Sequence, residues 1–386
     1  MNQLVYLDHA ATTPVAPEVL AAMLPYFSEI YGNSSSIHSL GRAAEDAMET
    51  TRESIANALN CAPDEIVFTS GGSESDNLAL RGVAWAARRT GKTPHIITTA
   101  IEHHAVLTTA KYLRDVFGCE VTIVPVDRYG MVAPETIREA LRPNTVLASV
   151  MAANNEVGTI QPLREIAAIT HKAGVLLHTD AVQGAHQMKL DVQALGVDML
   201  ALSAHKFYGP KGVGLLYVRR GIELIPSQSG GGHEQGRRAG TSNVAGIVGM
   251  ARALSLAAVH LEEDVKHYKA MRDALIEGIA ASVPDAELTG HPTERLPNSA
   301  SFVFKNVEGN ALLMHLDAAG IAASSGSACK TGMPEPSDVL TAMGYDAAWA
   351  LGGLRLTVGR QTTANHIAYV LATLPKVIQK LRGLAA

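Results

Sequence analysis

Residues 198–206, DMLALSAHK, bring an apolar run directly to a lysine. The run has the length of a β-strand, and similar runs rich in Val, Ile and Leu recur along this part of the chain. They are EIVFTS (65–70), HIITTA (95–100), VTIVPV (121–126), TVLASVM (145–151), VLLHTD (175–180), DMLALSA (198–204) and GLLYVRR (214–220). Stretches of helical period separate most of them, which predicts a largely parallel sheet buried on both faces. We therefore expect an α/β fold.

The rest of the chain predicts a second, smaller domain. A Gly-rich segment at 230–241 is followed by a helical pattern from about 244 to 282, which we read as one long helix that bridges two domains. Strand-like 299–307, helical 311–320 and strand-like 353–360 predict a smaller α+β domain. We expect a large cofactor-binding α/β domain at 15–258, and a small domain formed by 1–14 together with 259–386.

Composition excludes several classes of protein. The chain has 386 residues, 47% hydrophobic, with a formal net charge of −5, which is typical of a globular protein and disfavours nucleic-acid binding. No apolar run approaches the ~20 residues that span a bilayer, and the first residues lack a secretory signal, so we expect a cytoplasmic protein without a membrane partner. Cys61, Cys119 and Cys329 fit neither a disulfide framework nor a metal site.

Polar residues follow these strands where ligands bind in open α/β sheets, at the carboxyl ends. Lys206 stands where an amine can lose its water and become nucleophilic, although an exposed loop lysine is the simpler interpretation and Lys211 is its rival. Asp180 ends another strand, with Gln183 three residues later. A carboxylate there suits a pyridinium nitrogen, or it caps a helix.

Two further strand ends carry candidate ligand groups. Residues 69–75, TSGGSES, open a predicted helix and predict a phosphate site, with an unliganded helix start as the alternative. Residues 102–104, EHH, offer imidazoles, of which His104 could lie on an aromatic ligand and move protons. We weigh metal binding there and disfavour it. Phosphate holder, carboxylate and amine together are the set that a pyridoxal phosphate enzyme requires.

Cys329 is the candidate nucleophile of the second domain. Small residues, glycines and prolines surround it, and the neighbouring Lys330 favours a thiolate. A buried inert cysteine is the alternative, but the surroundings lack apolar periodicity. We expect its loop to span about 324–336.

Several strings, in order, resemble the pyridoxal phosphate-dependent cysteine desulfurases of the class V aminotransferase group. They are YLDHAATTP (6–14), YGNSSSIHSLGR (31–42), TSGGSESDN (69–77), EHHAVL (102–107), NNEVGTIQP (154–162), HTDAVQ (178–183), SAHKFYGPKGVG (203–214), GGGHEQGRRAGT (230–241) and SSGSACK (324–330). The resemblance implies a fold-type I transferase, and the last string is the one most specific to desulfurases.

The resemblance also implies roles for particular residues. It makes Lys206 the covalent holder of pyridoxal 5'-phosphate, His104 the stacking ring, Asp180 the partner of the pyridine nitrogen and Gln183 that of the ring hydroxyl. The other implied cofactor ligands are Gly72, Ser73, Asn155, Ser203, His205 and, from the partner subunit of a homodimer, Thr241. Asn33, Asn155 and Arg355 would seat the substrate, with Arg355 as a bidentate clamp on its carboxylate.

The implied reaction converts L-cysteine to L-alanine and leaves the sulfur as a persulfide on Cys329. The family passes that sulfur to acceptors such as an iron–sulfur scaffold, and Cys329 could transiently ligate a cluster; no resident metal is expected. An aminotransferase, a β-lyase and a selenocysteine lyase remain open as alternatives, as does a non-catalytic sulfur carrier. A zinc enzyme is the least favoured.

Overall fold

The structure is a computed structural model and describes residues 4–325 and 335–385. The strands are β1 (Val5–Tyr6), β2 (Ile66–Thr69), β3 (His95–Thr99), β4 (Glu120–Val124), β5 (Thr145–Ser149), β6 (Leu176–Asp180), β7 (Met199–Ser203), β8 (Gly214–Val218), β9 (Gly232–His233), β10 (Arg238–Ala239), β11 (Ala286–Leu288), β12 (Ser299–Phe304), β13 (Ile321–Ala322) and β14 (Gly353–Thr357). All of the strand-like runs quoted above are therefore strands.

The α-helices are α1 (Pro17–Met23), α2 (Pro25–Ser28), α3 (Ser39–Leu59), α4 (Gly72–Arg89), α5 (His104–Phe117), α6 (Pro134–Ala140), α7 (Leu163–Lys172), α8 (Val192–Leu195), α9 (Val244–Val259), α10 (Leu261–Ser282), α11 (Gly309–Ala318), α12 (Asp338–Ala342), α13 (Ala347–Ala350) and α14 (Ala364–Ala385). Short 3-10 turns occur at Pro63–Glu65, Ala204–Lys206 and Glu234–Gly236.

The predicted large sheet is confirmed. Seven strands lie in the order β2-β8-β7-β6-β5-β3-β4, and only β8 runs antiparallel to its neighbours. Because β2, β3, β5, β6 and β7 point the same way, their carboxyl ends meet at one edge of the sheet. This edge is where the predicted polar residues belong.

Both faces of the large sheet are buried, as the continuous apolar runs require. One face packs with α3, α7 and α9 through residues such as Leu177 and Leu200, whose side chains are fully buried. The opposite face packs with α4 and α5 through residues such as Leu147 and Met199. Alternation along each strand therefore supplies two layers of core from one sheet.

A separate core forms around the antiparallel sheet β11-β12-β14. Helices α10, α11 and α14 cover it, and Tyr268, Phe302 and Phe304 are among its largest buried side chains. The parallel pair β1 and β13 adds the N-terminal segment to this second core. The α/β fold with a smaller α+β part is thus confirmed, whereas the domain boundaries at 14/15 and 258/259 stay a prediction.

The single bridging helix predicted from about 244 to 282 is wrong. The chain forms α9 and α10, which meet at His260 at an angle of 73°. Helix α9 packs on α3 and α1 in the large core, whereas α10 packs on α14 and β12 in the small one. The bend lets each helix reach its own core, so packing decides against helical continuity.

No single helix in the described ranges is long and apolar enough to cross a membrane. The bent pair α9 and α10 passes that test only when the two helices are taken together, on length and composition.

Met199 tests the packing of the large sheet. Met199 is fully buried in β7, and truncation of a buried methionine costs about 2–5 kcal/mol because it removes apolar burial and leaves a cavity. We expect Met199→Ala to lower the urea midpoint of unfolding accordingly. Met314→Ala is the matched control because Met314 is 67% exposed on α11, and its stability should change by less than about 0.5 kcal/mol. Equal losses of stability in the two variants would contradict the burial of Met199 in the large core.

Candidate active site

A cavity of about 330 Å³ lies at the carboxyl edge of the large sheet. Its size falls in the range typical of small-ligand sites. Its lining comes from both cores: Ala10, Ala11, Gly72, Ser73, Asp76, His103, Met151, Ala153, Asn155, Asp180, Val182, Gln183, Ser203, His205, Lys206 and Arg355. Most of the site residues predicted from the sequence are therefore brought together.

Lys206 reaches the cavity from the 3-10 turn after β7. Its Nζ donates hydrogen bonds to the carbonyls of Ala10 at 2.7 Å and Ala11 at 2.8 Å. Burial lowers the pKa of Lys206 to about 8, the positive charge of Arg355 adds to the effect, and Asp180 and Asp8 oppose it. An appreciable fraction of the amine is therefore neutral near pH 7–8, as a nucleophilic lysine requires. Its rival, Lys211, is not part of the cavity lining.

Asp180 and Gln183 form the wall that follows β6. One Asp180 carboxylate oxygen accepts the Val182 amide at 2.9 Å, and Gln183 Nε2 donates to the Ala10 carbonyl at 3.0 Å. Burial raises the pKa of Asp180, and His103 and Lys206 act in the opposite direction. Ionisation of such a buried carboxyl becomes favourable when a cationic group binds beside it, because the opposite charge stabilises the carboxylate.

The start of α4 forms a cradle for an anion. Its cap residue is Gly71, which makes no side-chain cap hydrogen bond, so the first-turn N–H groups are left for a ligand at the positive end of the helix dipole. A Cβ atom at Gly72 would lie 2.7 Å from Val182 Cγ2, so the close approach of this helix to the segment that follows β6 requires glycine. Ser73 and Ser203 add hydroxyls to the lining.

His205 lies beside this cradle. Its Nδ1 is 3.2 Å from the Thr12 hydroxyl. Burial lowers the pKa of His205 to about 4, with Lys206 and Lys211 adding to the effect. At neutral pH it is therefore an uncharged hydrogen-bonding group.

The structure corrects the choice between the two adjacent histidines. The residue at the cavity is His103, whereas His104 begins α5 and does not line the cavity. His103 is the cap residue of α5, with extended backbone, and its side chain accepts the Ala105 amide. A cap residue places its side chain over the start of the helix, here at the ligand edge of the sheet. Burial lowers the pKa of His103.

The predicted substrate residues divide into two groups. Arg355 and Asn155 line the cavity, and Arg355 Nη1 donates to the Asn155 carbonyl at 2.9 Å. Asn33 is not brought to the cavity of its own chain, because it lies in an exposed turn where its side chain accepts the Ser35 amide at 3.0 Å. Thr241 lies apart as well, in a small cavity shared with Thr69 and Ser70.

Sequence reasoning assigned no role to two buried acids, Asp76, which lines the cavity, and Glu102, which precedes His103 in the chain. Burial raises the pKa of Asp76, with Asp180 and Glu102 adding to the effect, and burial raises the pKa of Glu102 to about 8. In the described ranges, one oxygen of each has no hydrogen-bond partner. Asp76 follows Gly72 by four residues on α4, a spacing that places both on one helix face and could have revealed it.

Of the three cysteines, Cys61 and Cys119 are free thiols in the structure. Burial raises the pKa of both, that of Cys61 to about 12, so they are protonated at neutral pH. Cys329 and most of its loop lie outside the described residues. Within the described ranges, no group of three or more His, Cys, Asp or Glu side chains could hold a metal ion.

Comparison with known proteins gives a consistent result. The class-V aminotransferase family matches residues 5–370. A cysteine desulfurase IscS from Methanosarcina thermophila is 48% identical over all of this chain and 94% of its own length, and one from Dictyoglomus turgidum is 46% identical over all of this chain and 97% of its own. A solved structure described as a NifS-like protein has a TM-score of 0.91 at 40% identity, covering 98% of this chain and all of that one.

The fold and the lysine-bearing cavity define an enzyme of fold type I. The chain belongs to the class-V aminotransferase family, among its cysteine desulfurases. The resemblance found in the sequence motifs is thereby confirmed. This family implies pyridoxal 5'-phosphate as its cofactor.

The residues present fit that cofactor. The uncapped start of α4 suits its phosphate, buried Asp180 suits a protonated ring nitrogen, and the amine of Lys206, with its lowered pKa, suits its aldehyde. In the described ranges Asp180 has no arginine or lysine as a hydrogen-bond partner. The positive ring would therefore meet a carboxylate whose hydrogen-bond partner is the neutral Val182 amide and not a cationic side chain.

Glu102 tests the electrostatics of this interior. Its pKa of about 8 lies above the unfolded value of 4.5, so the folded protein holds a proton that the unfolded chain loses as pH rises. The resulting loss in the free energy of unfolding begins near pH 4.5 and reaches its full value above about pH 8. Glu102→Gln should therefore gain stability relative to wild type over this window, by up to about 1.4 kcal/mol per pH unit. Urea unfolding of the cofactor-free proteins at several pH values measures it. A constant difference between the two proteins would contradict the prediction.

Proposed function

We propose that this cysteine desulfurase acts on L-cysteine, binds pyridoxal 5'-phosphate through Lys206, and transfers the sulfur to Cys329 as a persulfide. The observation that supports it is the convergence of Lys206, Asp180 and the start of α4 on one cavity. A related solved structure, 35% identical with a TM-score of 0.81, is described as SspA in complex with cysteine. L-Cysteine is accordingly the first substrate to test.

The residues of the chain divide the work. Bound pyridoxal phosphate would supply the electron sink that lets the substrate C–S bond break. Asp180 would keep the ring nitrogen protonated, Arg355 would orient the substrate carboxylate, and Lys206 Nζ would take the proton from the substrate α-carbon. His103, which is neutral at pH 7 because its pKa is lowered, would stack on the ring in the role first given to His104.

Sulfur transfer is assigned to Cys329. Its thiolate would attack the substrate sulfur, so that an S–S bond forms as the C–S bond breaks. The electron pair of the C–S bond stays with the substrate β-carbon, which takes up one proton, and the α-carbon regains the proton that it lost, so that L-alanine results. The sulfur is then available to acceptors such as an iron–sulfur scaffold.

A homodimer is part of the same proposal. Thr241 does not line the cavity of its own chain, and we infer that it completes the phosphate site of the partner subunit. A cytoplasmic location is also proposed, since the free thiols of Cys61 and Cys119 are typical of a reducing compartment.

Lys206 gives a pH-dependent test of cofactor attachment. Only the neutral amine condenses with an aldehyde, and with a pKa of about 8 its fraction rises about fivefold from pH 7 to pH 8. We expect reconstitution of the cofactor-free protein to accelerate by a similar factor. After borohydride reduction, mass spectrometry should locate the adduct on Lys206 in wild type and in Lys211→Ala. An adduct on Lys211, or a flat rate from pH 7 to 9, would contradict the assignment.

Cys329→Ser tests the sulfur transfer. We expect this variant to keep the yellow cofactor yet to lose at least about a hundredfold in sulfide and alanine formation from L-cysteine, because the attacking thiolate is gone. Cys61→Ser is the matched control and should retain activity. Unimpaired turnover by Cys329→Ser would favour a β-lyase, and wild type without alanine formation would favour a sulfur carrier.

A further inference from the structure

Arg355 is held in place by groups of this chain. Its Nη2 donates to Asp8 Oδ1 at 2.8 Å, and its Nη1 donates to the Asn155 carbonyl at 2.9 Å. The Arg355 side chain is only 8% exposed. A guanidinium has five N–H donors, so these two bonds fix its plane and leave other donors for a ligand.

Asp8 contacts the guanidinium from outside the cavity. Arg355 and Asn155 line the cavity but Asp8 does not, and the Asp8 side chain is 21% exposed. Asp8 therefore does not occupy the place of a substrate carboxylate. Asp8 instead lies where its carboxylate can hold the Arg355 guanidinium in one orientation.

The backbone of Asp8 is itself fixed. Asp8 forms a β-bridge with Thr357, the last residue of β14, and the same strand carries Arg355. Its carbonyl accepts the Tyr6 hydroxyl at 3.0 Å and the Ala11 amide at 3.0 Å. A carboxylate on so constrained a backbone holds its partner in one orientation.

The segment that carries Asp8 also holds the reactive lysine. Two and three residues later, the carbonyls of Ala10 and Ala11 accept Lys206 Nζ. One short segment thus bonds to the predicted carboxylate clamp at one end and to the reactive amine at the other. The distance between these two groups depends on it.

We propose that Asp8 is a positioning residue, which orients Arg355 so that its remaining N–H groups receive the α-carboxylate of the substrate. The inference rests on the proposed function, which assigns the clamp to Arg355. Two parallel N–H···O bonds to a carboxylate need a fixed guanidinium plane, and a guanidinium free to rotate loses that geometry. Asp8 acts through Arg355 and touches no reacting atom.

Asp8→Ala and Asp8→Asn separate the contributions of the contact. Alanine removes the support, so we expect KM for L-cysteine to rise about tenfold or more while kcat changes less than about threefold, as loss of uniform binding predicts. Asparagine keeps an oxygen acceptor for Nη2 and should give a smaller rise. Asp115→Ala is the control, since Asp115 forms an exposed ion pair with Arg114, and its KM should equal that of wild type.

A binding measurement without turnover tests the carboxylate directly. In a Cys329→Ser background, absorbance titration of the holoenzyme gives Kd for L-cysteine and for cysteamine, which lacks the carboxylate. We expect Asp8→Ala to weaken L-cysteine about tenfold and to leave cysteamine unchanged, because only the former uses the clamp. Equal weakening of both, tighter L-cysteine, or no change would overturn the inference.

The two proposals fail in distinguishable ways. Wild type that forms no alanine defeats the proposed function, whereas active wild type with an unaffected Asp8→Ala variant defeats only the role of Asp8. Should Asp8→Ala not fold, Asp8→Asn decides: weaker L-cysteine with unchanged cysteamine supports the role, and unchanged L-cysteine overturns it.

Discussion

The hydrogen bonds from Lys206 Nζ to the carbonyls of Ala10 and Ala11 join the two cores of the molecule at its reactive centre. Lys206 follows a strand of the large sheet, whereas the segment before Ala10 pairs with the small core through β1 and β13. Thr13 strengthens this join, since its amide donates to the His205 carbonyl at 2.9 Å. The position of the Lys206 amine relative to Arg355 therefore depends on this short N-terminal segment, which contacts both cores.

The sequence predicts the large sheet well because its strands are buried on both faces. Such strands need continuous apolar runs, and those runs are distinct enough to locate without knowledge of pairing. Lys206 and Asp180 follow from the same reasoning, since parallel strands bring their carboxyl ends to one edge. Their joint presence at one cavity is a consequence of strand direction.

Residues whose roles depend on packing between distant segments were not predictable. The break at His260 carries no proline or glycine, and it arises because α9 and α10 pack in different cores. The choice of His103 over His104 depends on where α5 begins, a boundary that period alone does not fix. Asp8 is distant from Arg355 in sequence and meets it only through the pairing of the N-terminal segment along β14. Contacts between residues so distant in sequence cannot be predicted from local sequence patterns.

The buried acids make the interior selective for a positive ligand. Burial raises the pKa of Asp76, Glu102 and Asp180, and the charge of Asp180 adds to this effect on both Asp76 and Glu102. Their neighbour His178 offers no compensating charge, because burial lowers its pKa to about 3. A neutral or anionic ring beside Asp180 would not reduce the free-energy cost of ionising this buried carboxyl, whereas a protonated ring nitrogen would offset that cost. The cationic end of a ligand is therefore favoured at Asp180 and its anionic end at the start of α4, which fixes a single orientation in the cavity.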